Sequence, residues 1–101
     1  MILIGLGSSL SFCRQEPSTI VRKAGETLGE MLKIVGRSRL YSSPAWPDPS
    51  DPPFVNAVIA AAEGPAPHAL LEALHAIEAG FGRRRSARNA PRTLDLDLLA
   101  Y

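Results

Sequence analysis

Apolar residues recur along this chain with two different spacings, and together they predict an alternation of strands and helices. Four short apolar runs have the length of strands, at residues 2–7, 34–41, 54–62 and 93–101. Two longer stretches repeat apolar residues every three or four positions, which is typical of a helix with one buried face. The resulting order is strand, helix, strand, strand, helix, strand. This order favours an α+β fold, a ferredoxin-like βαββαβ sandwich in which two helices cover one face of an antiparallel sheet.

The two helices are predicted from their apolar stripes and from residues that favour helix ends. The first stripe consists of Ile20, Val21, Ala24, Leu28, Met31 and Leu32. Ser18 is its predicted N-cap, because a hydroxyl there accepts a hydrogen bond from a free backbone N–H. The second stripe consists of Leu70, Leu71, Leu74, Ile77 and Phe81. Pro67 fits the first turn of this helix, and Gly82 is predicted to end it.

The segment SSPAWPDPSDPP separates the second predicted strand from the third. Its five prolines lack the backbone N–H groups that helices and sheet ladders require. We therefore predict a stiff loop at this place.

The composition is that of one soluble globular domain, which we assign to residues 1–101. A net charge of +1 gives no overall reason to expect nucleic acid or a membrane surface as a partner. Cys13 is the single cysteine, which excludes a disulfide within the chain and a cysteine-based zinc site. The apolar start has no basic leader and is far shorter than a membrane span, so we interpret it as a strand. We expect a monomer in the cytoplasm.

Two aspartates interrupt the leucines of the last predicted strand, in the sequence RTLDLDLLAY. Side chains alternate between faces along a strand, so Asp95 and Asp97 share one face and the neighbouring leucines share the other. Residues two apart lie ~6–7 Å from each other, so both carboxylates reach into one small space. Such oxygen ligands suit Mg²⁺, which takes one or two carboxylates together with water and phosphate oxygens. The alternative, favoured for an isolated pair of this spacing, is a solvated face of the sheet.

Arginines close to the pair shift the balance toward a phosphate site. Five of the eleven basic residues fall within RRRSARNAPR, at Arg83, Arg84, Arg85, Arg88 and Arg92. Guanidinium groups match phosphate oxygens in bidentate geometry, and carboxylates beside arginines are the components of a nucleotide-dependent phosphoryl-transfer site. A solvated loop that pairs with surface acids is the simpler alternative. Glu78, one turn before the loop, is equally consistent with pairing to these arginines and with helping to position a nucleotide.

With these residues the sequence resembles the hydroxymethyldihydropterin pyrophosphokinases of folate biosynthesis. Their hallmark is an arginine-bearing loop that runs into P-R-T-L-D-L-D, which is matched here at residues 91–97. GLGSSL, YSSPAW and FVNAV resemble earlier stretches of the family in the same order, so the resemblance covers the whole chain. It implies an ATP-dependent diphosphokinase that transfers the pyrophosphoryl group of ATP to the hydroxymethyl oxygen of 6-hydroxymethyl-7,8-dihydropterin and releases AMP.

The resemblance also assigns residues to a nucleotide side of the site. Asp95 and Asp97 would hold two Mg²⁺ ions that bridge the ATP phosphates. Arg83 and Arg92 correspond to catalytic arginines that contact the phosphates, so all four residues are predicted to be catalytic. The predicted ATP-binding residues are Glu78, Arg83, Arg85, Arg88 and Arg92.

The resemblance assigns a second group of residues to the pterin. The predicted pterin-binding residues are Ser43, Pro44, Trp46, Phe54 and Asn56. The ring of Phe54 would stack on the pterin, and the amide of Asn56 would bind its edge, which suits a flat polar heterocycle. Without the resemblance, Phe54 would be interpreted as a core aromatic and Trp46 as packing on its proline-rich loop.

Two features depart from the family pattern. Ser9 stands where the family usually has asparagine, so a local hydrogen bond is expected to differ. Family members continue for several dozen residues past the last strand and supply further nucleotide and pterin contacts there. We therefore expect this chain to be the ferredoxin-like core without that C-terminal segment.

Functions of other classes predict other features. A ferredoxin-like RNA-binding module needs exposed aromatics on its first and third strands, and among these strands only the third carries one, Phe54. A non-catalytic remnant that still binds nucleotide or pterin is the remaining alternative. His68 and His75 have no metal-like partners at helical spacing and are predicted to lie on the surface.

Overall fold

The computed structural model of the chain describes residues 1–46, 48–82 and 91–101. Its elements are β1 (Ile2–Ser8), α1 (Pro17–Gly29), β2 (Lys33–Arg37), β3 (Tyr41–Ser43), β4 (Phe54–Glu63), α2 (Pro67–Gly80) and β5 (Asp95–Ala100). This succession confirms the predicted α+β class, with one predicted strand divided into β2 and β3. Arg83, Arg85 and Arg88 of the predicted site lie outside the described residues.

The sheet has the strand order of a ferredoxin-like sandwich. All its pairs are antiparallel, and neighbouring strands follow the order β2–β4–β1–β5, with β3 also paired to β4. β1 and β4 therefore form the centre, and β5 lies at one edge beside β1. Among the described strands, the one that carries the two aspartates thus pairs on one side only, with the glycine-containing β1.

The single strand predicted at residues 34–41 is wrong, because the chain leaves the ladder at residues 38–40. Ser38 replaces part of the ladder there: its N–H donates to the carbonyl of Val58 at 2.8 Å, and its Oγ accepts from the N–H of Val58 at 2.8 Å. The register between β2 and β4 also shifts within the strand. A hydroxyl that substitutes for a backbone acceptor leaves no trace in the hydrophobic pattern.

The core lies between the sheet and both helices. It is formed by alternate residues of the central strands and by one face of each helix, namely Ile2, Ile4, Leu6, Ala57, Ile59, Ala61, Ile20, Val21, Ala24, Leu28, Leu70 and Leu74. Because strand residues alternate, the intervening residues of β1 and β4 face away from the helices. That second face is available for a site.

Proline opens both helices. α1 has Glu16 as its N-cap and Pro17 in its first turn, and no side chain caps it, so the prediction of Ser18 as N-cap is wrong. Proline favours the first turn because its φ is fixed near the helical value and it lacks an N–H that would need a partner there. α2 begins in the same way with Pro67 after Ala66, as predicted.

Neither helix is long and apolar enough to cross a membrane within the described ranges.

The buried face of α2 differs from the predicted stripe. Leu71 is 40 % exposed, whereas Glu78 is only 6 % exposed. Leu70, Leu74 and Glu78, spaced by four residues, form the face toward the sheet. The helix is therefore rotated so that a carboxyl group enters the interior.

Gly82 ends the helical segment as predicted, with φ at +76°. A Cβ at this position would overlap the ring of Phe12. Phe12 is brought there by a tight turn in which Cys13 and Arg14 both have positive φ and the backbones of Phe12 and Gln15 exchange hydrogen bonds of 2.9 and 3.1 Å. The turn after β1 thus packs directly on the end of α2.

We expect Gly82→Ala to lower the free energy of unfolding by about 2–3 kcal/mol, because the new residue is forced to positive φ and its Cβ collides with Phe12. Gly80→Ala is the matched control, since a Cβ there meets nothing within 4 Å. The control should be neutral or stabilising by up to about 1 kcal/mol. Urea unfolding followed by circular dichroism measures both, and equal effects of the two changes would contradict the packing described.

Candidate active site

The face of the sheet away from the helices brings residues of three strands into one row. Gly7 of β1 pairs with Asn56 of β4 on one side and with Asp95 of β5 on the other. Directly paired residues of antiparallel strands point to the same face. A Cβ at Gly7 would lie 3.4 Å from Asn56 Oδ1 and 3.6 Å from Phe54 Cδ1. Because Gly7 has no side chain, the amide oxygen of Asn56 and the ring of Phe54 have room beside β1.

Asp95 and Asp97 project from this same face, as the alternation predicts. Leu94 and Leu96, the residues before and between them, are buried in the core at 0 % and 6 % exposure. Asp97 pairs with Gly5 and is exposed. The two aspartates therefore lie beside the two glycines of β1 with which they pair.

Arg92 lies against the first of these aspartates. Its Nη1 is 3.1 Å from Asp95 Oδ2, and the two side chains are only 22 % and 21 % exposed. The sequence predicts that Arg92 contacts phosphate, and here it contacts a carboxylate of the same site. This pairing places a cation and an anion together at the start of β5, where a phosphate group and a metal ion would each find an opposite charge.

The backbone of Arg92 is fixed by the segment that follows β1. Its carbonyl accepts hydrogen bonds from the N–H groups of Ser9 at 2.8 Å and of Leu10 at 3.0 Å. Ser9, where the family resemblance leads us to expect asparagine, is itself almost fully buried. The end of β1 and the start of β5 are thus joined beyond the last rung of the ladder.

Glu78 reaches β5 from the helix side. Its Oε2 accepts a hydrogen bond of 2.8 Å from the backbone N–H of Leu96, the residue between the two aspartates. Edge strands present unpaired N–H groups on their outer side, and a buried one is costly unless an acceptor meets it. Glu78 therefore acts on the strand that carries the carboxylates, a role that the sequence analysis did not consider.

A cleft of about 400 Å³ opens between α2 and β5. It is lined by His75, Glu78, Ala79, Arg92, Asp95, Leu96 and Asp97. His75 is exposed as predicted, but its place in this cleft was missed. The available signal was its position three residues before Glu78, since residues at that spacing share one helix face.

The donors of this cleft fit a divalent cation that also binds a ligand. The described residues contain no group of three or more His, Cys, Asp or Glu side chains that could hold a metal by themselves. Two aspartates are sufficient for Mg²⁺ when substrate phosphates and water complete the shell. The site is thus suited to a metal that arrives with its ligand.

The predicted pterin residues meet at the other end of the row. Ser43 pairs with Phe54, and its Oγ accepts a hydrogen bond of 2.8 Å from Asn56 Nδ2. This contact orients the amide, so that Asn56 Oδ1 points toward Gly7. Phe54 is half-buried on the open face, which contradicts the interpretation of its ring as an ordinary core aromatic.

The proline-rich segment follows directly from Ser43. Pro44 is exposed, and Trp46 is 73 % exposed, so its ring does not pack into the loop as the simpler interpretation held. Further along, Asp48 accepts hydrogen bonds from the Oγ and the N–H of Ser50, which lower the pKa of its carboxyl group. The segment leaves a large aromatic surface uncovered beside the row.

We expect Glu78→Ala to lower the free energy of unfolding by about 1–3 kcal/mol, because the buried N–H of Leu96 loses its acceptor. Glu78→Gln keeps an oxygen at that place and should retain most of the stability. Both changes can be measured by urea unfolding, with amide exchange at Leu96 as the local report. If Glu78→Ala leaves exchange at Leu96 unchanged, the hydrogen bond does not protect the strand.

Known proteins of similar sequence agree on one family. The profile of 7,8-dihydro-6-hydroxymethylpterin-pyrophosphokinase matches residues 3–101. A 2-amino-4-hydroxy-6-hydroxymethyldihydropteridine pyrophosphokinase of Methylorubrum extorquens is 38 % identical over 98 residues, covering 97 % of this chain and 61 % of the relative. Proteins of the same name are 42 % identical in Pseudomonas putida, covering 97 % and 79 %, and 41 % identical in Pseudomonas aeruginosa, covering 99 % and 60 %.

The chain spans about three fifths of the length of the relatives from Methylorubrum and Pseudomonas aeruginosa. The family match nevertheless covers all of the strands and helices described above except Ile2, the first residue of β1. The chain therefore belongs to the 7,8-dihydro-6-hydroxymethylpterin-pyrophosphokinase family.

Proposed function

We propose that this chain forms the core of an enzyme of folate biosynthesis that transfers pyrophosphate from ATP to 6-hydroxymethyl-7,8-dihydropterin. The observation that carries the proposal is the row Asp95–Gly7–Asn56, which sets a carboxylate and an oriented amide on one open face with a glycine between them. Carboxylates suit metal-bound phosphates, and an amide beside an aromatic ring suits a flat heterocycle. We therefore propose that both substrates bind end to end on this face of the sheet.

In this reaction the hydroxyl oxygen of the pterin attacks the β-phosphorus of ATP. The bond from that phosphorus to the oxygen shared with the α-phosphorus breaks, AMP leaves with that oxygen, and the hydroxyl proton is released. The residues of this chain contribute by holding the two substrates in line and by neutralising the phosphate charges. No covalent intermediate with the protein is required.

At the nucleotide end, Asp95 and Asp97 would hold two Mg²⁺ ions. Magnesium, when bound, neutralises the negative charge of the triphosphate. Arg92 would then exchange its contact with Asp95 for a phosphate oxygen, which leaves the carboxylate to the metal. Guanidinium groups bind both partners in similar geometry, so the exchange needs only a small movement of the side chain.

Glu78 is proposed to contribute to nucleotide binding from the helix side of the sheet, since it lines the cleft and binds the backbone between the two aspartates. The resemblance adds three arginines for which the described residues give no geometry. Arg83 is proposed to contact the phosphates, and Arg85 and Arg88 are proposed to close over them.

At the pterin end, Phe54 would stack on the ring and Asn56 would bind its edge. The hydrogen bond from Asn56 to Ser43 supports this role because it fixes the orientation of the amide. Pro44 and the exposed ring of Trp46 are proposed to complete this end of the site. Their surface is available in the described structure because Trp46 is largely uncovered.

An RNA-binding module fits the described face less well. Its central strand β1 carries glycines rather than aromatics on that face, and the adjacent β5 carries two carboxylates that would repel a phosphate backbone. We therefore retain the expectation that nucleic acid is not a partner. A monomer in the cytoplasm also remains a prediction.

We expect a non-hydrolysable ATP analogue to bind this chain in a Mg²⁺-dependent manner. Asp97→Asn should weaken that binding at least about tenfold, because a metal ligand loses its charge at almost unchanged shape. Isothermal titration calorimetry with and without Mg²⁺ provides the measurement. Glu26→Gln, on the helix face of the protein, removes the same charge away from the site and should have no effect. Binding that is indifferent to Mg²⁺, or tight RNA binding in its place, would contradict the proposal.

Asn56→Ala should weaken the binding of 6-hydroxymethylpterin at least about tenfold while nucleotide affinity stays unchanged, since a buried polar edge loses its partner. Ser42→Ala is the control, because Ser42 precedes Ser43 on β3 and faces the other way. Quenching of pterin fluorescence gives the pterin affinity of both variants, and isothermal titration calorimetry gives their nucleotide affinity. A similar loss in the two variants would show that β3 and β4 are disturbed as a whole.

A further inference from the structure

Two buried hydroxyl groups at the end of β1 bind the backbone just before β5. Ser9 Oγ accepts a hydrogen bond of 3.0 Å from the N–H of Arg92, and Ser8 Oγ donates to the carbonyl of Thr93. Ser8 is completely buried and Ser9 is 4 % exposed. Neither serine has a role in the reaction as proposed above.

The contact of Ser9 means that the peptide units on both sides of the Arg92 Cα are held. The carbonyl of Arg92 already accepts two backbone hydrogen bonds from this segment, and Ser9 Oγ adds the partner of its N–H. When both backbone groups of a residue are held, the direction of its Cα–Cβ bond is fixed as well. The side chain of Arg92 then leaves the backbone toward Asp95, which its Nη1 meets at 3.1 Å.

The N–H of Arg92 depends on the side chain at position 9 for its acceptor. The N–H of Arg92 lies before β5 begins and therefore has no place in the β1–β5 ladder. Alanine at position 9 would leave this partly buried donor without its hydroxyl acceptor and would remove the longer contact of 3.4 Å from Ser9 Oγ to the Arg92 carbonyl. The two hydrogen bonds to that carbonyl from the N–H groups of Ser9 and Leu10 would remain, because they come from backbone groups. With the Arg92–Thr93 peptide still held, the backbone N and the Cβ of Arg92 could then rotate about the Cα–C bond, and the guanidinium group would follow.

We propose that Ser9 is a positioning residue for the nucleotide site, which acts by holding the guanidinium group of Arg92 beside Asp95. This inference rests on the proposed function for the nature of the ligand, ATP with Mg²⁺. Ser9 itself does not touch the ligand. Its hydroxyl fixes the direction in which the Arg92 side chain leaves the backbone, so that less conformational freedom is lost when the guanidinium group binds a phosphate.

A double-mutant cycle separates this role from a merely structural one. The affinity of the Mg²⁺-bound, non-hydrolysable ATP analogue is measured for the unmodified chain, for Ser9→Ala, for Arg92→Ala and for the double variant. We expect Ser9→Ala alone to weaken binding about five- to tenfold and to add less than about twofold in the Arg92→Ala background. Ser9→Ala should lower the melting temperature in both backgrounds, because the N–H of residue 92 loses its acceptor in either case.

Two further variants complete the test. Ser11→Ala, an exposed serine of the same segment, is the control and should leave the affinity unchanged. If Ser9→Ala does not fold, Ser9→Cys replaces it in the cycle, since a thiol fills the same space and is a weaker acceptor.

A loss of affinity that is equal in both backgrounds, or a fall in melting temperature with unchanged affinity, would overturn the role of Ser9 and leave the proposed function intact. If the unmodified chain binds no Mg²⁺-bound nucleotide, the proposed function and this inference both fail.

Discussion

The placement of β5 is the constraint on which the site depends. This strand lies at the edge of the sheet, and three different partners hold it: the ladder of β1 on its inner side, the Ser8–Leu10 segment at its beginning, and Glu78 on its outer side. An edge strand would otherwise be free to fray or to pair with another chain. The contacts of the Ser8–Leu10 segment and of Glu78 lie within the five residues from Arg92 to Leu96, and the ladder with β1 continues along the strand. Asp95 and Asp97 therefore lie on a part of the edge strand that is held on both of its sides.

One face of the sheet forms the core and the other carries the candidate site, because successive side chains of a strand point to opposite faces. The face with Ile4, Leu6 and Leu96 is packed against the helices and provides the apolar burial that stabilises the fold. The opposite face carries the glycines of β1, Asn56 and the two aspartates, together with the apolar Phe54 and Leu99, and these residues do not belong to the buried core. Substitutions in the site should therefore have a limited cost in stability. Glu78 is the exception, because its buried side chain also accepts the hydrogen bond from the backbone of the edge strand.

One pair of opposite charges in the cleft is formed before any ligand is present. Arg92 and Asp95 form a half-buried pair, and such a pair contributes modestly to stability because desolvation offsets much of the attraction. Its greater effect is on binding. A triphosphate with its metal ions offers a new partner to each member of the pair, so binding exchanges one set of ionic contacts for another. This explains how Arg92 and Asp95 can pair with each other in the free protein and still both take part in binding the ligand.

Sequence and tertiary structure determined different parts of this protein. The order of elements, the shared face of Asp95 and Asp97 and the shared face of Phe54 and Asn56 followed from the sequence, because the period of a strand or helix is a local property of the backbone. The break at residues 38–40, the inward turn of Glu78, the place of His75 in the cleft and the contacts of Ser9 with Arg92 did not follow from it. Each of these depends on a backbone group or a neighbouring element that is far away in the chain, and the acceptor for such a group is known only when the strands and helices have been brought together.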